Sequence, residues 1–338
     1  MPLVPYLHRV ANRQNLAADE ATQAMVVILE GKATTAQIAA FLVALRMKGE
    51  TSEELLGFAR AMRSKANPVD VGLTGETLLD TCGTGGDGGG TFNISTVAAF
   101  VAAGAGIRVA KHGNRSLSSL CGSADLLEEL GVDIAMSPQR AAQAIREAGI
   151  GFLFAPAIHP AMRHAQPARA EIKMRTAFNL LGPLTNPAGA NVQVIGAPSV
   201  PAAELMAHAL AGLGISRAFI VHGSDGLDEI TTTGPTTVFS IANRSVSQLS
   251  LSPSDFGVPL ANPADLRGGD RKRNATIALD ILSGAKGPHR DIVIVNAAAA
   301  LVVGGLAGDY PGGVRLAEGA IDSGEALRRL RQLAAMRP

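Results

Sequence analysis

Six glycines fall within the eight positions from Gly83 to Gly90, between the apolar run LLDT at 78–81 and the string Thr91-Phe92-Asn93-Ile94-Ser95-Thr96. Glycine clears side chains from the backbone, so bare N–H groups can converge on an anion, and a following helix adds its partial positive charge. Asn93, Ser95 and Thr96 bring amide and hydroxyl groups to the same mouth, where they can bond phosphate oxygens or cap the helix. The loop lacks the GK[ST] ending of a Walker A motif. It also lacks the acidic residue that follows a dinucleotide-binding glycine fingerprint. A flexible turn with an ordinary cap is the alternative, but glycine this dense at a strand-to-helix turn favours a phosphate site. By itself it names no reaction.

A second constellation follows. The run IRVA at 107–110 leads into Lys111-His112-Gly113-Asn114-Arg115, and Gly122-Ser123-Ala124-Asp125 opens the next helix. Lys111 ends a strand, the usual place for a group that faces a ligand in an open α/β sheet, and its ammonium can neutralise phosphate as a point charge. Ser123 offers a second anion contact. Arg115 can serve the ligand or simply tie the loop to its neighbours, and the sequence leaves these even. His112 has no partner at metal-ligand spacing.

The elements that position these groups are readable from periodicity. Residues 19–30 and 35–47 carry apolar side chains three and four apart, and Thr51 with Glu54 forms a capping box for a helix ending before Asn67-Pro68. A small unit of four helices is expected there. From Leu78 short apolar runs alternate with helical patterns at 97–106, 124–131 and 201–213, with strands at 78–81, 107–110, 151–156, 192–198 and 218–223. That rhythm belongs to a mainly parallel sheet flanked by helices. Segment 157–185 interrupts it with helical, His- and Arg-bearing sequence that reads as a return to the small unit. The expected division is therefore 1–67 with about 160–185 as the helical domain, and 68–159 with 186–338 as the α/β domain. Helices at 274–283, 292–305 and 314–334 close the chain.

Composition excludes several classes. A net charge of +1 gives no field for nucleic acid or acidic membranes. The longest apolar stretch, 292–306, contains Asn296 and falls short of a bilayer span, so it reads as a buried helix. The first thirty residues carry charges and no apolar leader block. Cys82 and Cys121 make neither a disulfide framework nor a metal motif, and a reducing cytoplasm is the expected location.

Taken in order, GTGGD…TFNIST, KHGNR…GSAD, FLFAP…HPAMRH, TAFNLLGPLTNPAGA and HGSDGLDE resemble the anthranilate phosphoribosyltransferases, over about residues 5 to 330. The combination of KHGN with FNLLGPLTNPAG is far more specific than any glycine loop. The resemblance implies a small helical domain beside a large α/β domain, a homodimer formed through the small domain, and a place in tryptophan biosynthesis. It implies that 5-phosphoribosyl 1-pyrophosphate (PRPP) is held by Gly83, Gly86, Asp87, Thr91, Asn93, Ser95, Thr96, Lys111 and Ser123. It places anthranilate against Gly83, His112, Asn114, His159, Arg169 and Gly182, with Pro156 and Met162 along the approach. Ser95, Asp228 and Glu229 become contacts to Mg²⁺, two ions with substrate bound, and Lys111, Asp228 and Glu229 the catalytic set. The chemistry of Mg²⁺, which takes a few carboxylates, waters and substrate phosphates, suits an adjacent Asp-Glu pair after a strand. Taken alone, the pair would read as a solvated acidic turn. Leu120 stands where Lys or Arg is common in the family, and Arg273 where Glu is common.

Displacement at the anomeric carbon would then need positioning and charge stabilisation of the leaving pyrophosphate, with no strong base for an aromatic amine already neutral at pH 7. Two rivals remain. A pyrimidine nucleoside phosphorylase of the same fold would lack the KHGN loop and the Asp-Glu pair. A nucleic-acid-binding paralogue would show a basic face and degraded metal ligands.

Overall fold

The computed structural model describes residues 2–85, 88–116 and 120–336. Four helices open the chain: α1 Val4–Ala11, α2 Ala18–Leu29, α3 Thr35–Lys48 and α4 Ser52–Ser64. The expected capping box is present: the Thr51 hydroxyl accepts from the Glu54 N–H, and the Glu54 carboxylate accepts from the Thr51 N–H at 2.9 Å. The same buried carboxylate takes the Leu16 N–H and the Lys48 ammonium, both at 3.0 Å. One carboxylate thus ties together the start of α4, the end of α3 and the link into α2.

Seven strands form one sheet: β1 Leu78–Gly83, β2 Arg108–Gly113, β3 Ile150–Phe154, β4 Val192–Gly196, β5 Arg217–Gly223, β6 Thr236–Ala242 and β7 Ser245–Leu251. The order is β3-β2-β1-β4-β5-β6-β7. The first five strands are mutually parallel, whereas β6 and β7 are antiparallel. The sheet is therefore mainly parallel, as expected, with a hairpin edge that periodicity did not announce.

Helices cover both faces. On one side lie α5 Ile94–Gly104, α6 Ser123–Glu129 and α7 Pro138–Glu147, followed after the hairpin by α12 Arg271–Leu282, α13 Pro288–Gly304, α14 Tyr310–Asp322 and α15 Glu325–Ala335. Three short helices, α8 Ala155–Ile158, α9 Gln166–Ile172 and α10 Phe178–Leu181, fill the interrupting segment, and α11 Val200–Gly212 covers the other face. Alternation divides the strands between two cores: Val192, Val194, Phe219 and Val221 face α5 and α13, while Ile195, Ala218 and Ile220 face α11. The stretch at 292–306 is the buried α13, and no described helix is long and apolar enough to cross a membrane. The single helix expected at 314–334 is two, α14 and α15, because Gly324 adopts a left-handed φ of +80°.

The interrupting segment does meet the small helices. The Arg63 Nε–H donates to the Leu184 carbonyl and the Asn67 N–H to the Ile158 carbonyl, both at 2.8 Å. The core against α11 also takes in side chains from α1 to α4, α9 and α10.

Strand order reverses between β1 and β4: β1 leads outward through β2 to β3, and β4 through β5 to β7. Their following helices, α5 and α11, leave to opposite faces. Such a switch point opens a crevice at the carboxyl ends of the two strands.

Candidate active site

The crevice is occupied by a cavity of about 680 Å³. One wall is acidic. The loop after β5 brings Asp228 and Glu229 over the ends of β1 and β4. Asp228 Oδ2 accepts the Gly85 N–H at 2.9 Å, and Glu229 Oε1 accepts the Ser95 N–H at 3.1 Å. The glycine loop and the first turn of α5 therefore aim their N–H groups at carboxylates here, the same donors that suit an anion. Room for Asp228 comes from two glycines in register, Gly83 on β1 and Gly196 on β4. A Cβ on Gly83 would lie 2.6 Å from Asp228 Oδ2, and one on Gly196 only 1.6 Å from the Asp228 carbonyl oxygen. Two carboxylates and the Ser95 hydroxyl are too few for a closed shell. They fit a hard cation that keeps waters and bridges to substrate phosphates. Among the described residues no group of three His, Cys, Asp or Glu makes a self-sufficient cage.

Beneath the loop lies a buried charged layer. β2 runs on to Gly113, so Lys111 and His112 sit inside the strand and point to opposite faces, rather than Lys111 ending it. Lys111 is 2% exposed, and its Nζ donates to the Thr81 carbonyl at 2.6 Å. Burial pulls its ammonium below the usual lysine range, and neighbouring Asp80 and Glu229 oppose that pull. Asp80, fully buried, is pushed above the usual carboxylate range by desolvation, against Lys111 and the Asn186 amide. Asp80 accepts the His112 N–H at 3.1 Å and the Asn186 Nδ2–H at 2.8 Å. Asn186 also donates to the Ala110 carbonyl, so β1, β2 and the turn after α10 share one network.

The rest of the lining holds aromatic and cationic groups. His112 Nδ1 lies 3.1 Å from the Gly182 carbonyl, and its ring centroid is 5.2 Å from that of His159. Both rings are 6% exposed. Burial holds His112 down to about 3, helped by His159, and His159 down to about 4. Arg169 stacks over the Phe178 ring at 5.2 Å from its centroid. Pro156 and Met162 line the same space.

Gly83, Thr91, Asn93, Ser95, Thr96, Lys111 and Ser123, read from sequence as phosphate contacts, all line this one cavity. So do His112, Asn114, His159, Arg169 and Gly182, read as contacts to the aromatic substrate. Gly86 and Asp87 lie outside the described residues. Three expectations change in detail. The Asn93 side chain does not cap α5: its amide donates to the Cys121 carbonyl and its oxygen accepts from Asn274, which locks α5 against α12. Ser123 exchanges hydrogen bonds with the Asn114 backbone, both at 3.2 Å, and so shapes the KHGN loop. Arg115 is tied at 2.8 Å to Asp125 and at 2.9 Å to Glu128, so it braces the loop while also lining the cavity. Leu120 is largely exposed. Arg273 sits in the first turn of α12, beside the Asn274 that reaches Asn93.

Sequence reasoning missed Asp80, Asn186, Arg175 and Gln193, whose buried amide donates to the Pro183 carbonyl at 2.9 Å. Asp80 carried a signal, a lone acid inside an apolar strand. Arg175, which donates to the Gly85 carbonyl at 3.0 Å, carried none.

Comparison with known proteins places this geometry. Residues 4–66 match the model "Glycosyl transferase family, helical bundle domain", and residues 75–327 match "Glycosyl transferase family, a/b domain". An anthranilate phosphoribosyltransferase from Solibacter usitatus is 63% identical over 334 residues, covering 99% of this chain and 98% of that one. The crystal structure of the anthranilate phosphoribosyltransferase from Thermus thermophilus superposes with a TM-score of 0.92 at 43% identity, covering 99% of both chains. The enzyme of that name from Saccharomyces cerevisiae, solved in complex with PRPP and Mg, gives 0.91 at 31% identity, covering 99% of this chain and 97% of its own. With both domain models matched in sequence and this identity along its length, the chain belongs to the anthranilate phosphoribosyltransferase family.

Proposed function

We propose that the protein transfers the 5-phosphoribosyl group of PRPP to the amine of anthranilate and releases pyrophosphate, the second step of tryptophan biosynthesis from chorismate. The observation that carries this reading is the division of one cavity into two chemistries. Asp228, Glu229 and the glycine-loop N–H groups form one wall; imidazoles, a guanidinium and apolar side chains form the other. The first suits a metal-bound pyrophosphate, the second a flat aromatic acid.

As the anomeric C–O bond breaks, negative charge builds on the departing pyrophosphate and positive charge on the sugar. Lys111, fixed beneath the loop, and the backbone N–H groups around Gly85 and Ser95 provide field where that negative charge forms. Asp228, Glu229 and the Ser95 hydroxyl would hold Mg²⁺, which supplies positive charge to the leaving group when bound; we assign two ions with substrate present. Gly83, Gly86, Asp87, Thr91, Asn93, Thr96 and Ser123 belong on this reading to the PRPP site. Asn114, Arg169, Gly182, His112 and His159 belong to the anthranilate side. Closure of the two domains over the cleft would exclude water, whose attack would waste PRPP.

We further assign residues 1–67 and about 160–185 to the small domain, and 68–159 with 186–338 to the large one. A homodimer through the small domain and a cytoplasmic location complete the reading. Neither nucleic acid nor membrane is a partner on a chain with a net charge of +1.

The test is the decay of anthranilate fluorescence on mixing protein, PRPP and Mg²⁺. A Mg²⁺-dependent decay that is lost in Lys111→Ala and in Asp228→Asn, each still folded, is expected. Near-normal turnover in both variants refutes the assignment.

A further inference from the structure

On the reading just given, one proton is unaccounted for. The amine attacks as a neutral group, so the new C–N bond leaves an extra proton on nitrogen, and that proton must go to a base. The acidic wall is a poor place for it: Asp228 and Glu229 already accept backbone N–H groups and face the pyrophosphate side.

β2 offers a base on the other side. Strand alternation sends Lys111 towards Thr81 and the carboxylates, and His112 towards Gly182 and His159. A carbonyl oxygen can only accept, so the Gly182 contact requires the proton of His112 to sit on Nδ1, leaving Nε2 with its lone pair. Among the described residues, His112 Nε2 is buried and has no hydrogen-bond partner, and the same is true of His159 Nε2. A buried polar atom without a partner costs stability, and beside a cavity a bound ligand can supply the partner. Both residues line the cavity, with these atoms just beneath its surface, and two unpaired atoms on neighbouring rings match a ligand with two donors on one atom; a primary aromatic amine has two N–H groups.

We propose that His112 is the general base of the transfer, its Nε2 taking the proton that the amine sheds as the C–N bond forms, with His159 Nε2 orienting the amine as a second acceptor. The step balances. The nitrogen lone pair forms the bond to the anomeric carbon, and the C–O bond breaks with its electron pair leaving on pyrophosphate. The N–H bond breaks with its pair returning to nitrogen, and the proton on Nε2 then passes to pyrophosphate or water. A weakly basic imidazole is adequate, because the arylammonium centre formed in the step is itself a strong acid and needs no strong base to release its proton. Burial keeps both rings neutral and ready to accept, with Lys111 and His159 as the nearest titratable groups to His112.

The substitution His112→Asn tests this, because an Asn amide can still donate to the Gly182 carbonyl but leaves no base at Nε2. Turnover is followed by anthranilate fluorescence, and PRPP–Mg²⁺ binding by calorimetry serves as the control for folding. The expected result is a fall in kcat of about 10²-fold or more, with the KM for anthranilate within a few-fold and PRPP binding kept. In His112→Ala, added imidazole should restore turnover in proportion to its concentration. A variant that keeps its kcat, or that loses only KM, overturns the proposal, since His112 would then be a binding group. If the variants do not fold, wild-type single turnovers in heavy water decide: a normal solvent isotope effect supports a base in flight, and a value of one overturns it. Wild-type protein that consumes no anthranilate would instead sink the transfer reading itself.

Discussion

Gly83 and Gly196 face each other across β1 and β4, yet alanine at the two positions should have different consequences. Neither glycine adopts a left-handed φ, so the effect of a methyl group is steric rather than conformational. At Gly83 the new Cβ would stand 2.6 Å from Asp228 Oδ2, about 0.8 Å short of ordinary contact. The obstructing atom is the tip of a side chain, which can swing away by releasing the Gly85 N–H. The fold should survive with a loss of about 1 kcal/mol for one hydrogen bond. Activity should not survive, because displacing a charge-positioning carboxylate by close to 1 Å costs on the order of 10²-fold in rate. At Gly196 the Cβ would stand 1.6 Å from the Asp228 carbonyl oxygen, about 1.8 Å short of contact, and a backbone atom cannot rotate aside. There β4 or the Asp228 loop must move bodily, at about 3 kcal/mol or more. Thermal melting and anthranilate-fluorescence turnover, run on both variants at saturating Mg²⁺ and PRPP, separate the two effects. Gly83→Ala should melt near the wild-type temperature with turnover down about 10²-fold, and Gly196→Ala should be unstable or insoluble. Wild-type turnover in Gly83→Ala would refute the claim that the glycine pair exists to seat Asp228.

Three further outcomes are expected. Glu54→Ala removes the charge partner of Lys48, which keeps Asn15 Oδ1 and the Gly49 carbonyl, and frees two N–H groups, so it should cost about 3 kcal/mol in denaturant unfolding and leave the catalytic residues unchanged. Acid should destabilise the protein through its imidazoles: His112 and His159 have folded values of about 3 and about 4, below the 6.5 of a free imidazole. Their contribution is therefore full above pH 6.5 and is lost as pH falls from there to about 4 for His159 and about 3 for His112, at up to about 1.4 kcal/mol per pH unit for each ring. Melting temperature against pH should flatten over that window in His159→Gln. Arg244 holds a left-handed φ of +64° in the exposed β6–β7 turn, so Arg244→Gly should stabilise by about 1 kcal/mol, read as a raised melting temperature.

That same turn explains what periodicity could and could not reveal. Asn243 and Arg244 both have positive φ, +51° and +64°, the conformation of a two-residue hairpin turn that usually spells Asn-Gly. Arginine in the second place hides the signal. β7 then reads Ser-Val-Ser-Gln-Leu-Ser-Leu, largely exposed and poor in bulky side chains, so nothing marked the hairpin. The parallel strands were legible because both their faces are buried and they appear as short, unbroken apolar runs. Helix α7 went unmarked although Ser137-Pro138 is a cap followed by a first-turn proline. The glycine loop, KHGN and Asp-Glu could be assembled from sequence because each is contiguous and chemically unusual. Asp80, Asn186 and Gln193 could not, because their meaning lies in a contact between strands that no local spacing encodes.

The buried layer bears on why the two substrates meet where they do. A parallel sheet that reverses its order between β1 and β4 opens its crevice there, whatever the side chains. What this chain adds is the use of β2, one strand away, as a divider. Lys111 and His112 are consecutive, so the pleat sends a cation to one side and an imidazole to the other at a fixed spacing. Asp80 then accepts the His112 N–H from the strand beside it, and through Asn186 fixes the turn whose Gly182 carbonyl sets the imidazole tautomer. The carboxylate that lies near the buried ammonium is thus the one that holds the base-bearing strand. Asp80→Asn should accordingly disturb both sides of the cavity at once, leaving Lys111 less compensated and His112 less firmly placed. A variant that weakened PRPP binding alone, with the His112 ring unmoved, would show that the two walls are independent.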